Sequence, residues 1–373
     1  MADGLLDILP GDFASGHFIG RALAPEGPCI IAIRESVIYD LTAEVATSSG
    51  AIARRSFAGG RAIGPVEDGL PQGWRLLSPI DLQCVKACGV TFAISAIERV
   101  IEERARGDSA RAAEIRAMLE EKCGRIRDVV PGSDEAAKLK AALIDEGMWS
   151  QYLEVAIGPD AEVFSKSPVL STVGAGAQIG VRSDSDWNNP EPEIVLIVDP
   201  QGEIVGATLG NDVNLRDFEG RSALLLSKAK DNTASCAIGP FIRLFDDGFG
   251  IDDVRGANVD LTIDGPEGYR LEGTNDMGQI SRDPTDLVRQ TLSEHHYPDG
   301  FALFCGTLFA PVQDRDTPGG GFTHKVGDVV TISSRRLGVL RNTVTTSRDA
   351  PAWTMGIGEF ARNLAARGLI DRI

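Results

Sequence analysis

Residues 193–198, EIVLIV, form an uninterrupted apolar run after one acidic residue, DPQG follows at 199–202, and a second largely apolar run occupies 203–209. Short apolar runs bounded by turn residues read as buried strands, and two of them flanking a tight turn read as a hairpin. The same style continues from about residue 160 to 346, with VDLTIDG, RLEGT, FALFCGT and GDVVTISS as strands and DPTDLVRQTLSEH as an isolated helix. Residues 1–75 are punctuated by Gly and Pro, and PCIIAIRESVIYDLT is their clearest strand pair. Between 97 and 151 the period changes to that of helices, AIERVIEERARGDSARAAEIRAMLEEKC and DEAAKLKAALIDEGMW, broken at GRIRDVVPGS. A last helix, IGEFARNLAARGLI, has apolar residues at 357, 360, 364, 365 and 369 and is expected to pack on a neighbour. The pattern predicts an α+β chain: a closed or rolled β structure with helical decoration. The Gly-rich pieces FAGGRAIG and STVGAGAQIG lack the GK[ST] ending of a phosphate loop and read as turns.

Composition narrows the classes. A chain of 373 residues with 43% hydrophobic content can bury a substantial core. Its formal charge of −17 argues against nucleic acid or an anionic membrane as partner. The start, MADGLLDILPGDF, has no basic n-region, and no run of 18 apolar residues occurs, so a cytoplasmic location is expected. The six cysteines are scattered and expected to be reduced. His295 and His296 are adjacent, and neighbours on a strand point apart, which argues against a shared metal.

The candidate chemistry lies at the mouth of the hairpin. Glu191 and Glu193 are two apart on a strand and share a face, while Pro192 between them limits further pairing at that edge. Pairing Asp199 with Gly202 puts Gly210 opposite Glu191 and Asp212 one diagonal step beyond, on the same face. Three carboxylates without Cys or His favour a hard cation, Mg²⁺ first, with Mn²⁺ and Ca²⁺ as alternatives. Spacing alone favours the plainer reading, a polar strand edge with Asp212 as a turn residue.

The wording NPEPE, GNDVNLRD and SKAKDNTASCAIGP resembles the metal core of the fumarylacetoacetate hydrolase family, and GFALFCGT and KVGDVVTIS continue the resemblance. SDSDWNNPEPE, SALLLSKAKDN and QDRDTPGGGFTHKVGD look closest to its bacterial 2-keto-3-deoxypentonate dehydratases. The resemblance implies a mixed β-roll core over 76–373, a small N-terminal domain over 1–75, and a helical insertion over 97–151 that can act as a lid. It implies metal ligands Glu191, Glu193 and Asp212, with Lys228 beside them, Arg216, Asp217 and Asp231 completing the motifs, and Gly306 and Thr307 facing substrate. It also implies a homodimer or dimer-based oligomer. One departure is informative. The family's acylpyruvate hydrolases carry GxNYxxHxxE, and GVTFAISAIE aligns to it with Phe92, Ser95 and Glu98 at the Tyr, His and Glu positions, so the water-activating imidazole is missing.

The implied reaction converts 2-keto-3-deoxy-D-pentonate, the shared product of D-xylonate and D-arabinonate dehydration, to 2-oxoglutarate semialdehyde in oxidative pentose catabolism. Glu98 is the candidate proton shuttle, and Lys228 is either a base or a fixed counter-charge. Ser95 and Thr307 are candidates to hold substrate oxygens, Asp231 and Arg216 to support the site, and Arg99, Glu102 and Glu103 to face it. An acylpyruvate C–C hydrolase or oxaloacetate decarboxylase is the first alternative, and a non-catalytic oxo-acid-binding protein the second.

Overall fold

The computed structural model describes residues 4–106, 108, 111, 129–145, 147, 149–309, 311, 313–317 and 321–373; of residues 93, 94, 97 and 102 it describes the backbone alone. Among the described residues, a mixed sheet runs in the order Arg61–Pro65, Val37–Asp40, Gly27–Arg34, Phe18–Ala24, Cys236–Leu244, Ile204–Asp212, Pro192–Val198, Phe301–Phe304, Cys84–Gly89 and Glu162–Ser167, and Arg75–Leu77 pairs with Phe18–Ala24. A second sheet carries Arg270–Asp276, Asn258–Asp264, Val329–Ser334, Gly338–Thr346 and Gln178–Val181.

The hairpin strands are buried on both faces, which is why EIVLIV is a run and not an alternation. Ile194, Leu196 and Val198 point into a core shared with Leu261, Ile332 and Leu340 of the second sheet. Val195 and Ile197 point into another core, built with Ile19, Ile30, Leu41, Ile238 and Phe304. Burying an aliphatic side chain of this kind contributes roughly 1.5–3 kcal/mol, so both faces fix the register.

That register differs from the sequence expectation. Asp199 Oδ1 accepts from the backbone N–H groups of Gln201 and Glu203, and Asp199 N bonds Glu203 O at 2.9 Å, so the turn is longer than a two-residue loop. An irregularity between Ile197 and Val198 adds a further shift, and the ladder then runs Glu193↔Gly210 and Pro192↔Asn211. Asp212 N bonds Glu191 O at 3.1 Å, placing Asp212 directly across from Glu191 where Gly210 had been expected. A displacement of two residues leaves every side chain on its expected face.

The N-terminal strands extend the main sheet, with Phe18 and Ile19 pairing Arg243 and Ile242. In the insertion, the helices Ala93–Ala105, Asp134–Asp145 and Gln151–Ile157 share a cluster that includes Ala96, Val100, Leu143 and Leu153. The helical expectation for 112–123, and the start of the expected break at 124–128, fall outside the described residues. The last helix, Ile357–Ala366, packs Phe360 and Leu364 against Ala46, and Asn363 and Arg367 donate to the carbonyls of Glu26 and Pro28.

Candidate active site

Just past the Val195 and Ile197 face, the hairpin replaces apolar side chains with acids. Glu191, Glu193 and Asp212 are all buried, and each offers a carboxylate oxygen within 4.8 Å of the others. Three negative charges so close in a buried setting repel strongly. Burial, then Asp212 and Glu191, push the Glu193 carboxyl well above its ordinary range. Asp212 goes the other way: burial raises it, but Lys166 and Lys230 more than offset that and hold it ionised. An all-oxygen set of three buried, mutually repelling acids is the donor chemistry of a hard divalent cation, whose charge would relieve the repulsion.

Backbone geometry holds Glu193 in place. Gly306 N donates to Glu193 Oε2 at 2.6 Å, with Gly306 at φ +91°. A Cβ at 306 would come within 2.0 Å of Thr91 Oγ1, so glycine is required for the approach as well as for the dihedral.

The lysine of the site is Lys230, not Lys228. Lys230 Nζ lies 2.5 Å from Glu191 Oε2 and 3.0 Å from Asp212 Oδ2, and it is buried. Lys228 is exposed, with its ammonium 5.5 Å from the Phe218 ring centroid. Both sit on the short helix Leu226–Lys230, where two residues correspond to about 200° of rotation, so one faces in and the other out. Burial lowers the Lys230 pKa, but Asp212, Glu191 and Glu219 outweigh it and the ammonium is held protonated. Behind Asp212, the fully buried Lys166 places Nζ 2.6 Å from Oδ1 and donates to the carbonyls of Val213 and Lys230. Asp231 is likewise displaced from its expected role. It is exposed in a separate surface cleft with Arg182 and Asn232, its N–H bonded to Ser227 O.

The other expected residues come to the same cavity with distinct partners. Ser95 and Glu98 line it from the helix Ala93–Ala105. Ser95 Oγ donates to Phe92 O at 2.7 Å and accepts from Phe92 N at 3.3 Å, so its hydroxyl also closes the helix start. Glu98 Oε2 lies 3.6 Å from Arg216 Nη2; Arg216 is buried, donates to Pro311 O, and lies 4.4 Å from the Trp187 ring centroid. Thr307 lines the cavity and its Oγ1 accepts from Phe309 N. Asp217 accepts from Ser185 Oγ and Asp186 N through its carboxylate, and its own N–H donates to Trp187 O at 3.2 Å. Arg99 bridges Glu191 at 2.8 Å and Glu219 at 2.7 Å, whereas Glu103 turns away to Ser150 and Gln151. The Glu102 side chain is outside the described set.

Besides Lys166, Lys230 and Glu219, a fourth titratable group had escaped sequence reasoning. Glu162, on the strand Glu162–Ser167, lines the cavity, and its pKa is raised to about 7. Burial is the main cause, Glu219 and Glu191 add to it, and Arg99 and Lys230 oppose it. Its strand pairs Glu162 with Gly89, and a Cβ at 89 would lie 2.0 Å from Glu162 Oε2, so the glycine leaves room for the carboxyl. The available signal was the alternation in EVFSKS, which puts Glu162, Phe164 and Lys166 on one face.

Comparison with known proteins places this arrangement in context. Residues 150–345 match the family model described as fumarylacetoacetate (FAA) hydrolase C-terminal. The chain is 32% identical over 202 residues to a probable 2-keto-3-deoxyxylonate dehydratase of Haloferax volcanii, covering 54% of this chain and 66% of that protein. It is 31% identical over 187 residues to 2-dehydro-3-deoxy-D-arabinonate dehydratase of Saccharolobus solfataricus, covering 50% of this chain and 59% of that one. The chain thus spans less than two thirds of either relative's length. Among solved structures, a 2-keto-3-deoxy-D-arabinonate dehydratase complexed with magnesium and 2,5-dioxopentanoate shares the fold, with TM-score 0.64 and 22% identity over 88% of this chain and 99% of that one. A fumarylacetoacetate hydrolase from Exiguobacterium antarcticum shares it at TM-score 0.57 and 16% identity, with the same coverage.

Proposed function

Because this chain belongs to the fumarylacetoacetate hydrolase family, we propose that its cavity dehydrates a 2-keto-3-deoxypentonate to 2-oxoglutarate semialdehyde with the help of a divalent cation. The observation that carries this reading is a buried Glu191–Glu193–Asp212 cluster sharing one cavity with Glu162, whose carboxyl pKa is raised to about 7 mainly by burial, while Ser95 stands where a water-activating His would be needed. The relatives named above as dehydratases of such acids support the substrate class, and the magnesium complexed with a fold neighbour supports that ion.

Bound by Glu191, Glu193 and Asp212, the ion would polarise the 2-oxo acid and make its C3 hydrogen acidic. The protein's own residues then divide the work. Glu162 takes or returns the proton exchanged during elimination, its raised pKa matching the task. Lys230, held protonated, keeps Glu191 and Asp212 in place and balances their charge. Glu98, favoured by the sequence, faces Arg216 and is assigned the second proton-transfer position, at the departing 4-hydroxyl. Ser95 and Thr307 present hydroxyls to substrate oxygens. The helix carrying Ser95, Glu98 and Arg99 is the closing element of the site.

The same reading includes a homodimer, a cytoplasmic location and a place in D-xylose or D-arabinose oxidation. No described helix is long and apolar enough to cross a membrane. The test mixes the purified protein, Mg²⁺ and 2-keto-3-deoxy-D-pentonate, then its L-enantiomer, and follows semialdehyde through a coupled dehydrogenase, with acylpyruvate as control. Semialdehyde from one enantiomer is expected. Acylpyruvate cleavage without semialdehyde would transfer the site to the hydrolase reading.

A further inference from the structure

The hairpin does not stop at its metal-ligating acids. Beyond the Glu191–Asp212 pair, a short two-stranded ladder pairs Asn189 with Asn214, in register with Glu193↔Gly210. On each strand, residues two apart share a face, so Asn189 continues the row of Glu191 and Glu193, and Asn214 continues that of Asp212. All five side chains line the one cavity.

The two asparagines are unusual within that row. Asn214 is 0% exposed and Asn189 2%. Among the described residues, neither the Nδ2 nor the Oδ1 of Asn214 has a hydrogen-bond partner, and Asn189 Oδ1 has none, although Asn189 Nδ2 donates to Pro190 O. A buried amide without partners is costly, and native proteins retain few such groups without a role for them. Here the residues that carry the orphaned atoms, two acceptors and one donor group, line the cavity one pairing step from the acidic cluster.

Resting on the function proposed above, we infer that Asn189 and Asn214 form the subsite that recognises the hydroxylated tail of the substrate, with the terminal C5 hydroxyl as their ligand. The reach is sufficient. One pairing step along a strand is about 6.6 Å; an extended C2–C5 segment of three bonds of about 1.5 Å spans about 4 Å, and the C5 hydroxyl with a hydrogen bond of about 2.8 Å covers the remainder. A hydroxyl both donates and accepts, which matches an acceptor from Asn189 and either atom of Asn214. The apolar tail of a 2-oxo acid would leave these amides unpaired, and a site built to hydrogen-bond a hydroxyl discriminates strongly against an analogue lacking it.

The experiment uses two 2-oxo acids that cannot lose water because neither has a 4-hydroxyl: 5-hydroxy-2-oxopentanoate and 2-oxopentanoate. Their dissociation constants for the Mg²⁺-loaded protein are measured by calorimetry. The wild-type protein is expected to prefer the hydroxylated acid by about ten-fold or more, and Asn214→Leu and Asn189→Leu to bring the ratio close to one. Equal affinities in the wild type would overturn the inference without recourse to any variant, as would a preference that survives in folded Asn214→Leu. The outcome is separable from the reaction: discrimination without semialdehyde formation would sink the dehydratase reading and leave the subsite standing, whereas semialdehyde formation without discrimination would do the reverse.

Discussion

The hairpin strand that ends at Asp212 and the short helix Leu226–Lys230 contribute to the same charge cluster, yet they differ in how tightly sequence dictates them. On the hairpin, a two-residue displacement in register left Glu191, Glu193 and Asp212 on one face, because strand side chains repeat every two residues. On the helix, a two-residue choice between Lys228 and Lys230 changed everything, because that spacing reverses direction. Strand-borne groups are therefore robust to small errors in alignment, and helix-borne groups are not.

The largest expected effect comes from breaking the robust side. Asp212→Ala removes one of the three proposed ligands and should cost at least about 10³-fold in Mg²⁺-dependent turnover, with near-native circular dichroism. Full activity in a folded Asp212→Ala protein would end the metal reading. Chelation with EDTA should reproduce the loss, and Mg²⁺ should restore it.

Glu162→Gln, on a second strand facing the cluster, should lower kcat by about 10²–10⁴-fold and remove the limb near pH 7 from the pH–rate profile. A retained limb would reassign the titration. Stability carries its own signature. The folded pKa of about 7 lies above the ordinary 4.5, so the unfolded chain releases its proton first as pH rises. This contribution is fully present below about pH 4.5 and lost as pH passes 7, and Glu193, raised in the same direction, adds to it. In metal-free protein the urea midpoint should fall between pH 5 and pH 8, and fall less in Glu162→Gln.

The helix is tested by a pair of variants. Lys230→Met strips a buried ammonium from two carboxylates and should cost about 3–5 kcal/mol in urea unfolding of the metal-free protein. Lys228→Met, the smallest effect, should stay within about 0.5 kcal/mol and about two-fold in turnover, as surface changes usually do. Equal effects from the two lysines would erase the contrast between strand and helix.

What could be read from the chain follows the same line. EIVLIV and DPQG announced the hairpin, and the two-residue period of a strand was enough to place the three acids together. The five-residue helix offers too little sequence to set a phase, so a motif match alone favoured Lys228. Glu162 was hidden for another reason: its raised pKa comes from burial and from Glu219 and Glu191, residues far along the chain that only the fold assembles. Nothing in DWNNP or DVNL ties Asn189 to Asn214, 25 positions apart in the chain; their shared register is a property of the fold. The N-terminal strands were visible as strands, but nothing in PCIIAIRESVIYDLT says that they dock beside Cys236–Leu244.

That docking has a practical side. A chain shortened to begin after residue 75 would keep every residue of the cavity and lose Ile19, Ile30 and Leu41 from above Ile238 and Ile242. The flank of Cys236–Leu244 would become an open edge beside a bare apolar face, a template for pairing with other copies. Removing the first 75 residues should therefore yield aggregates: they line no part of the cavity among the described residues, yet they cover the strand that flanks it.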